Sequence, residues 1–168
     1  MARHVIALSQ ATDLDASMVG GKAANLARLA SHGLRVPDAR IVTTEAFDAF
    51  MAASGTTPLI RDLSSLPAEA ERVAEPAARI RASVLSHPIP PPLAAELAEA
   101  FVELSAEGTM VVVRSSATVE DSATSSFAGM LSSIPSVSSA EEMYSAVKRC
   151  WASAFGTRAV LYALERRG

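Results

Sequence analysis

One stretch of the chain says most about its fold: residues 111–129 read VVVRSSATVEDSATSSFAG. The three valines predict a buried strand, which ends on Arg114. An arginine before a loop of small hydroxyl residues suits an anion such as a phosphate chain. The guanidinium offers a fixed fork of donors, and the loop offers hydroxyl and backbone N–H groups with little bulk. A solvent-paired arginine before an ordinary surface loop fits this segment equally well.

A second segment also suggests an anion site. Val19 is followed by Gly20, Gly21 and Lys22 at the predicted start of a helix. Glycines let backbone N–H groups approach an anion closely, and a helix N-terminus carries positive partial charge. The spacing differs from that of the Walker A loop. A glycine pair with a solvated lysine is the alternative, and by itself this segment does not exclude it.

The two segments, together with VKRCWASAFGTRAV at residues 147–160, resemble the N-terminal nucleotide-binding domain of the phosphoenolpyruvate synthase and pyruvate phosphate dikinase family. Rifampicin phosphotransferases belong to the same family. The resemblance is close over 17–51 and 110–168, and vague over 52–107. It implies an α+β fold, the first subdomain of an ATP-grasp-like nucleotide-binding domain, helix-rich with a small sheet. We expect residues 1–168 to form a single, partial ATP-binding domain.

The resemblance also implies which residues bind ATP. Lys22 and Arg114 are expected to contact the ATP phosphates and to act in catalysis, and the loop 125–129 is expected to cover the transferring phosphate. Glu120 and Asp121 either bind magnesium, orient Lys22, or form a solvated turn, so no metal ligand is assigned. The full set of expected nucleotide-binding residues is Gly20, Gly21, Lys22, Arg114, Ser115, Ser125, Ser126, Phe127, Ala128 and Gly129.

An ATP-grasp domain holds its nucleotide between two subdomains, and this sequence resembles only the first. In the family the second subdomain brings the adenine pocket and the acidic and amide ligands of Mg²⁺. We therefore expect ATP and Mg²⁺ as cofactors, with most metal ligands outside this chain. We also expect a second protein chain or a homo-oligomer to complete the cleft. The chain alone is not expected to be a competent phosphotransferase, and the phosphoryl acceptor stays open.

Three hypotheses remain for its function. The chain is the ATP-phosphate-binding half of a phosphoenolpyruvate synthase-like phosphotransferase that works with a separate chain, or it is a piece of a longer enzyme. In the third hypothesis it is a non-catalytic binding or regulatory protein that keeps the fold. The presence of Lys22, Arg114 and the loop 127–129 favours a phosphate-handling role. It does not separate the first two hypotheses.

Composition agrees with a cytoplasmic protein. A chain of 168 residues buries roughly 70% of its unfolded surface, and no apolar run approaches the roughly 20 residues of a membrane span. One cysteine excludes an internal disulfide, and no Cys/His cluster has zinc-site spacing. A net charge of −3 argues against a general nucleic-acid surface. We expect neither nucleic acid nor membrane as a partner.

The periodic pattern predicts mixed α and β structure with helix dominant. Gly33 is expected to end the first helix and Thr44 to cap the second, and Ser139 with Glu142 forms a capping-box pattern. Cys150 and Trp151 fall on an apolar helix face, so a core role is favoured over a redox or stacking role. The predicted strands are 4–8, 40–43, 111–114 and 130–134; the helices are 22–32, 45–53, 68–85, 93–106, one from about 140 and 157–167, with a turn at 54–58.

Overall fold

The structure, a computed structural model, describes residues 3–117 and 132–166, without the Glu107 side chain. Within these residues it contains eight α-helices, two short 3₁₀ helices at Leu8–Ala11 and Ala106–Gly108, and two small antiparallel sheets. The strands are β1 (Val5–Ala7), β2 (Arg40–Val42), β3 (Val111–Arg114) and β4 (Ser133–Val137). The helices are α1 (Ala16–Val19), α2 (Gly21–Ser31), α3 (Thr44–Ala53), α4 (Thr57–Ser64), α5 (Ala70–Ser86), α6 (Pro91–Leu104), α7 (Ala140–Ser153) and α8 (Thr157–Glu165). The helix-rich α+β prediction is confirmed.

The first sheet pairs β1 with β2 and places α2 and α3 around it. Ile6 lies opposite Ile41 in the antiparallel register, close to the predicted strands. Helix α2 ends as predicted, because Gly33 adopts a left-handed φ of 78°. The predicted cap of α3 was wrong by one residue. The Thr43 hydroxyl, on extended backbone, accepts the Ala46 N–H at 3.3 Å, whereas Thr44 is already helical.

The second sheet is the hairpin of β3 and β4. The valine strand is confirmed, but the return strand begins three residues later than predicted, at Ser133. Val113 lies opposite Ile134, and Val111 lies opposite Val137, so β4 carries one extra residue in between. Ser136 adopts a φ of 59° in this bulge. Burial of Val137 beside Val111 fixes this register. The apolar residues near position 130 had suggested a strand that begins earlier.

The segment after α3 holds a helix that the sequence pattern had not predicted. We expected a turn over 54–58, but helix α4 begins at Thr57 and carries Pro58 in its first turn. Proline is tolerated there, because the N–H groups of the first turn have no partner within the helix. The buried side chain of Leu63 anchors α4. The turn is therefore shorter than predicted.

Helix α7 begins where the capping pattern predicted. The Ser139 hydroxyl accepts the Glu142 N–H at 3.1 Å. The Glu142 carboxylate does not reach back to Ser139, as a standard capping box requires; it accepts the N–H and the hydroxyl of Ser138 at 2.8 and 2.7 Å. These hydrogen bonds lower the pKa of Glu142. Ser139 thus caps α7, and Ser138 holds the side chain of Glu142 in its first turn.

The core of the described residues falls into three apolar clusters. The first lies between the β3–β4 hairpin, α6 and α7; the second joins α3, α5 and α8; the third lies under α2 and the first sheet. Trp151 is half-buried and packs against the first two clusters, with its ring 4.9 Å from that of Phe50. The predicted core role is confirmed for Cys150, which is buried, whereas Trp151 is only partly buried where it packs against the two clusters. No helix in the described ranges is long and apolar enough to span a membrane.

Candidate functional site

The two segments that the sequence singled out meet in the structure. The N-terminus of α2 lies against the loop that follows β3, although about 90 residues separate them in the chain. The Gly21 N–H donates to the Ala117 carbonyl at 3.1 Å, and the Ala23 N–H donates to the Ser116 hydroxyl at 3.0 Å. Two backbone donors in the first turn of α2 are therefore satisfied by a distant segment, and Lys22 lies between them.

Gly20 is required for this contact by both conformation and space. Its φ of 81° lies in the region that favours glycine. A Cβ atom at this position would overlap the backbone oxygen and the hydroxyl of Ser116. The Gly20 N–H donates to the Ala16 carbonyl at 2.7 Å. Because any side chain here would push the loop away, Gly20 and Ser116 form one closely packed unit.

Lys22 and Arg114 line the same cleft, which has a volume of about 750 Å³. The cleft lies between the first and third apolar clusters, and α2, β2, β3, α6 and α7 form its walls. Lys22 is half-buried and Arg114 is exposed. Leu26 and Leu29 of α2 contribute apolar surface beside Lys22. The site thus combines two cations at a polar rim with an apolar interior.

The floor of the cleft near Lys22 is formed by Cys150. Its sulfur lies 3.4 Å from the Ser132 carbonyl oxygen and 3.8 Å from that of Val113. Burial raises the pKa of the Cys150 thiol to about 11, and the positive charges of Arg149 and Lys22 oppose this shift only in part. Cys150 is therefore a neutral packing residue.

Ser115 adds a polar group to the same rim. Its hydroxyl oxygen is buried and has no hydrogen-bond partner within the part of the chain that the structure describes. A buried hydroxyl without a partner costs about 1–3 kcal/mol, so an acceptor or donor from a ligand suits this position. Two cations and a hydroxyl group along one cleft fit the oxygens of a phosphate chain. The donor set therefore fits the nucleotide that the resemblance implies.

The other predicted site residues divide into two groups. Gly20 and Gly21 lie beside the site, but both of their N–H groups have protein acceptors: the Ala16 carbonyl for Gly20 and the Ala117 carbonyl for Gly21. Binding of an anion by these groups stays a prediction, and for Gly21 it requires the contact with the β3 loop to open. The loop 125–129, with Glu120 and Asp121, lies outside the described residues. Within the ranges that the structure describes, no group of three acidic, histidine or cysteine residues is arranged to hold a metal ion.

Sequence reasoning missed the structural role of Ser116 and Ala117. They lie two and three residues after Arg114, and the sequence pattern predicts no contact for them. The glycine pair at the start of α2 carried the signal, because a side chain at Gly20 would overlap Ser116. The sequence alone could not pair these residues, since the contact is long-range and its donors are backbone groups.

Comparison with known proteins identifies the family of the chain. Residues 16–167 match the family model described as "Pyruvate phosphate dikinase, AMP/ATP-binding domain". A rifampicin phosphotransferase from a Streptomyces species is 39% identical over 163 residues, which cover 95% of this chain and 19% of that protein. A phosphoenolpyruvate synthase from Aeropyrum pernix is 36% identical over 86% of this chain and 18% of its own length. That of Escherichia coli is 33% identical over 90% of this chain and 20% of its own length.

The chain spans about a fifth of the length of these curated relatives. The matched region includes both segments that meet at the cleft, together with α7 and α8. The match covers most of the chain. The chain therefore belongs to the pyruvate phosphate dikinase AMP/ATP-binding domain family.

Proposed function

We propose that this chain is the ATP-phosphate-binding half of a phosphoenolpyruvate synthase-like phosphotransferase, working with a separate chain or as part of a longer enzyme. One observation carries the proposal: Lys22 and Arg114, far apart in sequence, line one cleft where α2 meets the end of β3. Arg40 also lines the cleft, but its guanidinium is paired with Asp38 and Glu103 at 3.0 and 2.7 Å. No acidic residue is among the described lining residues, and this excess of positive charge favours a polyanion as the ligand. The relatives named as phosphotransferases and synthases support the same reaction class.

Each described residue has a distinct part in this proposal. Arg114 presents a planar fork of donors to phosphate oxygens and balances the charge that spreads over a transferring phosphoryl group. Lys22 supplies a point charge at the start of α2, and the Ser115 hydroxyl contributes a hydrogen bond at the rim. When bound, ATP supplies the phosphoryl group. Under this proposal the loop 125–129 covers that group, and most ligands of Mg²⁺ come from outside the chain.

A nucleotide titration of the full chain tests the phosphate assignment. Amide resonances of the ¹⁵N-labelled protein should shift around Lys22 and Arg114 with ATP and with inorganic tripolyphosphate, but not with adenosine at the same concentration. Arg114→Ala and Lys22→Ala should each weaken both phosphate ligands. Arg61→Ala, an exposed arginine on α4 outside the cleft, is the matched control. A response to adenosine equal to that for ATP would contradict the proposal.

A second experiment addresses transfer and not only binding. Co-expression with the remaining domains of a relative should restore phosphoryl transfer from ATP to a histidine of the complementing chain, measured with ATP labelled at both the β- and γ-phosphates. The Arg114→Ala chain should fail to complement. Binding of ATP without any transfer in the complemented protein would instead favour the non-catalytic, regulatory alternative.

A further inference from the structure

The first turn of α2 does not present all of its N–H groups to the cleft. The Gly21 and Ala23 N–H groups donate to Ala117 and Ser116, at 3.1 and 3.0 Å. A phosphate chain in the cleft would therefore meet the side chains of Lys22 and Arg114 before these backbone donors. The protein uses part of its own helix N-terminus to hold the β3 loop.

This contact connects the two cations. Lys22 lies between the two residues whose N–H groups are bound, and Arg114 lies two residues before Ser116. The loop after β3 approaches α2 so closely that only glycine fits at position 20. A hydrogen bond on each side of Lys22 and steric contact at Gly20 leave the loop little freedom to slide along the helix.

We infer that Ser116 is a positioning residue, whose hydroxyl holds the arginine at the end of β3 at a fixed distance from the lysine of α2. This inference rests on the proposed phosphate site. Ser116 itself need not touch the nucleotide. Its hydroxyl caps α2 from a different part of the chain. The position of α2 therefore determines the position of the loop after β3, and with it the position of Arg114. Two cations that are fixed in advance bind a polyanion better than two that must be ordered on binding.

Removing the hydroxyl should weaken phosphate binding through Arg114. Loss of one hydrogen bond and of the fixed geometry corresponds to about a five- to tenfold higher Kd in Ser116→Ala, for both ATP and tripolyphosphate. In the Arg114→Ala background, Ser116→Ala should add little, since no arginine remains to be positioned. Coupling between the two substitutions in a double-mutant cycle is the diagnostic result, because independent sites give additive effects.

Two further variants keep the test decisive. Gly20→Ala removes no charged group but forces the loop from α2, so it should weaken binding as much as Ser116→Ala or more. Ser139→Ala is the matched control, since its hydroxyl accepts a helix N–H at 3.1 Å in the same manner at the start of α7. It should lower the melting temperature while leaving the Kd unchanged.

The outcomes separate this inference from the proposed function. If the wild-type chain bound neither ATP nor tripolyphosphate near Lys22, the proposed function and the inference would both fail. Wild-type binding with an unchanged Kd in folded Ser116→Ala and Gly20→Ala would overturn the positioning role alone. An equal loss from Ser116→Ala with and without Arg114 would also overturn it, because the serine would then act independently of the arginine.

Discussion

At the scale of single residues, the site depends on two cations that contribute little to the fold. Arg114 is exposed and Lys22 half-buried, so neither is part of the apolar core. Their neighbours, a valine strand and a glycine pair, have strong local preferences, so the sequence located both segments; contact of the two cations with phosphate stays a prediction. The role of Ser116 could not be predicted, because it depends on a contact that closes only in the folded chain.

The two cations should rank differently in catalysis. In the complemented or full-length protein, Arg114→Ala should reduce phosphoryl transfer by about a hundredfold or more, because charge on the moving phosphate needs a fixed cation. Lys22→Ala should raise the ATP requirement and also slow transfer. The ranking is measured as the activity of each variant divided by the amount of folded protein. Both variants should unfold near the wild-type temperature.

Trp151→Ala is the contrasting variant for this ranking. Its ring packs on Phe47 and Phe50, at 5.8 and 4.9 Å between centroids, so truncation should cost about 3 kcal/mol of stability. The remaining folded molecules should keep their specific activity. If Trp151→Ala lost specific activity while the Arg114 and Lys22 variants retained theirs, the phosphate-site assignment would be wrong.

Cys150 should make stability depend on alkaline pH. The pKa of its thiol is about 11 in the folded chain, against an ordinary value of 9.0, so the folded state keeps a proton that the unfolded state loses. This contribution to stability is complete below pH 9 and is lost as the pH rises towards 11. Urea titrations across this range should show a steeper decline for wild type than for Cys150→Ala. Equal slopes would contradict the buried thiol.

The same residue offers a chemical check at neutral pH. Because only the thiolate is nucleophilic, alkylation of native Cys150 at pH 8 should be much slower than alkylation in urea. Equal rates under both conditions would show that the sulfur is not held beneath the β3–β4 hairpin.

At the scale of helices and strands, local sequence patterns predicted most elements, whereas long-range packing determines where some of them begin and end. The cap at Ser139 and the glycine at position 33 gave correct ends because each acts on its own helix. Strand β4 was misplaced because its register depends on Val137 packing beside Val111, which the local pattern does not contain. Helix α4 was missed because a proline in a first turn has the same sequence signature as a loop.

The start of α7 should be sensitive to acid. Hydrogen bonds from Ser138 hold the pKa of Glu142 below its ordinary value of 4.5, so the charged carboxylate stabilises the fold above that pH. The stabilisation is lost as the pH falls below 4.5 through the lower folded pKa. Melting temperatures should therefore drop less steeply in acid for Glu142→Gln than for wild type. Glu141→Gln, from the same turn, should follow the wild-type curve.

At the scale of the whole molecule, the cleft that Lys22 and Arg114 line is partly open to solvent, so it encloses a ligand only in part. Pockets gain affinity by burying most of a ligand. We therefore expect the 168-residue chain to bind ATP no more tightly than about 1 mM, or about −4 kcal/mol. Isothermal calorimetry with NMR titration measures this range. Low-micromolar binding by a monomer would contradict the half-site model.

The surface also carries apolar side chains that a partner would cover. Val102, Met110 and Val112 are 69%, 69% and 51% exposed, around the connection from α6 to β3. Exposed apolar groups that cluster on a surface usually mark a contact with another chain. We expect self-association, or a requirement for a partner during expression. A single monomeric species in sedimentation velocity over a wide concentration range would argue strongly against this surface.

The contact between Ser116 and the start of α2 also sets an order of events during synthesis. The Ala23 N–H and its acceptor are separated by 93 residues, which a ribosome adds in roughly 5–20 s. Until Ser116 leaves the exit tunnel, the first turn of α2 lacks this hydrogen-bond acceptor. Lys22 is therefore made early but gains its final surroundings late. A nascent chain that stops before the end of β3 should contain much of α2 and still lack the phosphate site.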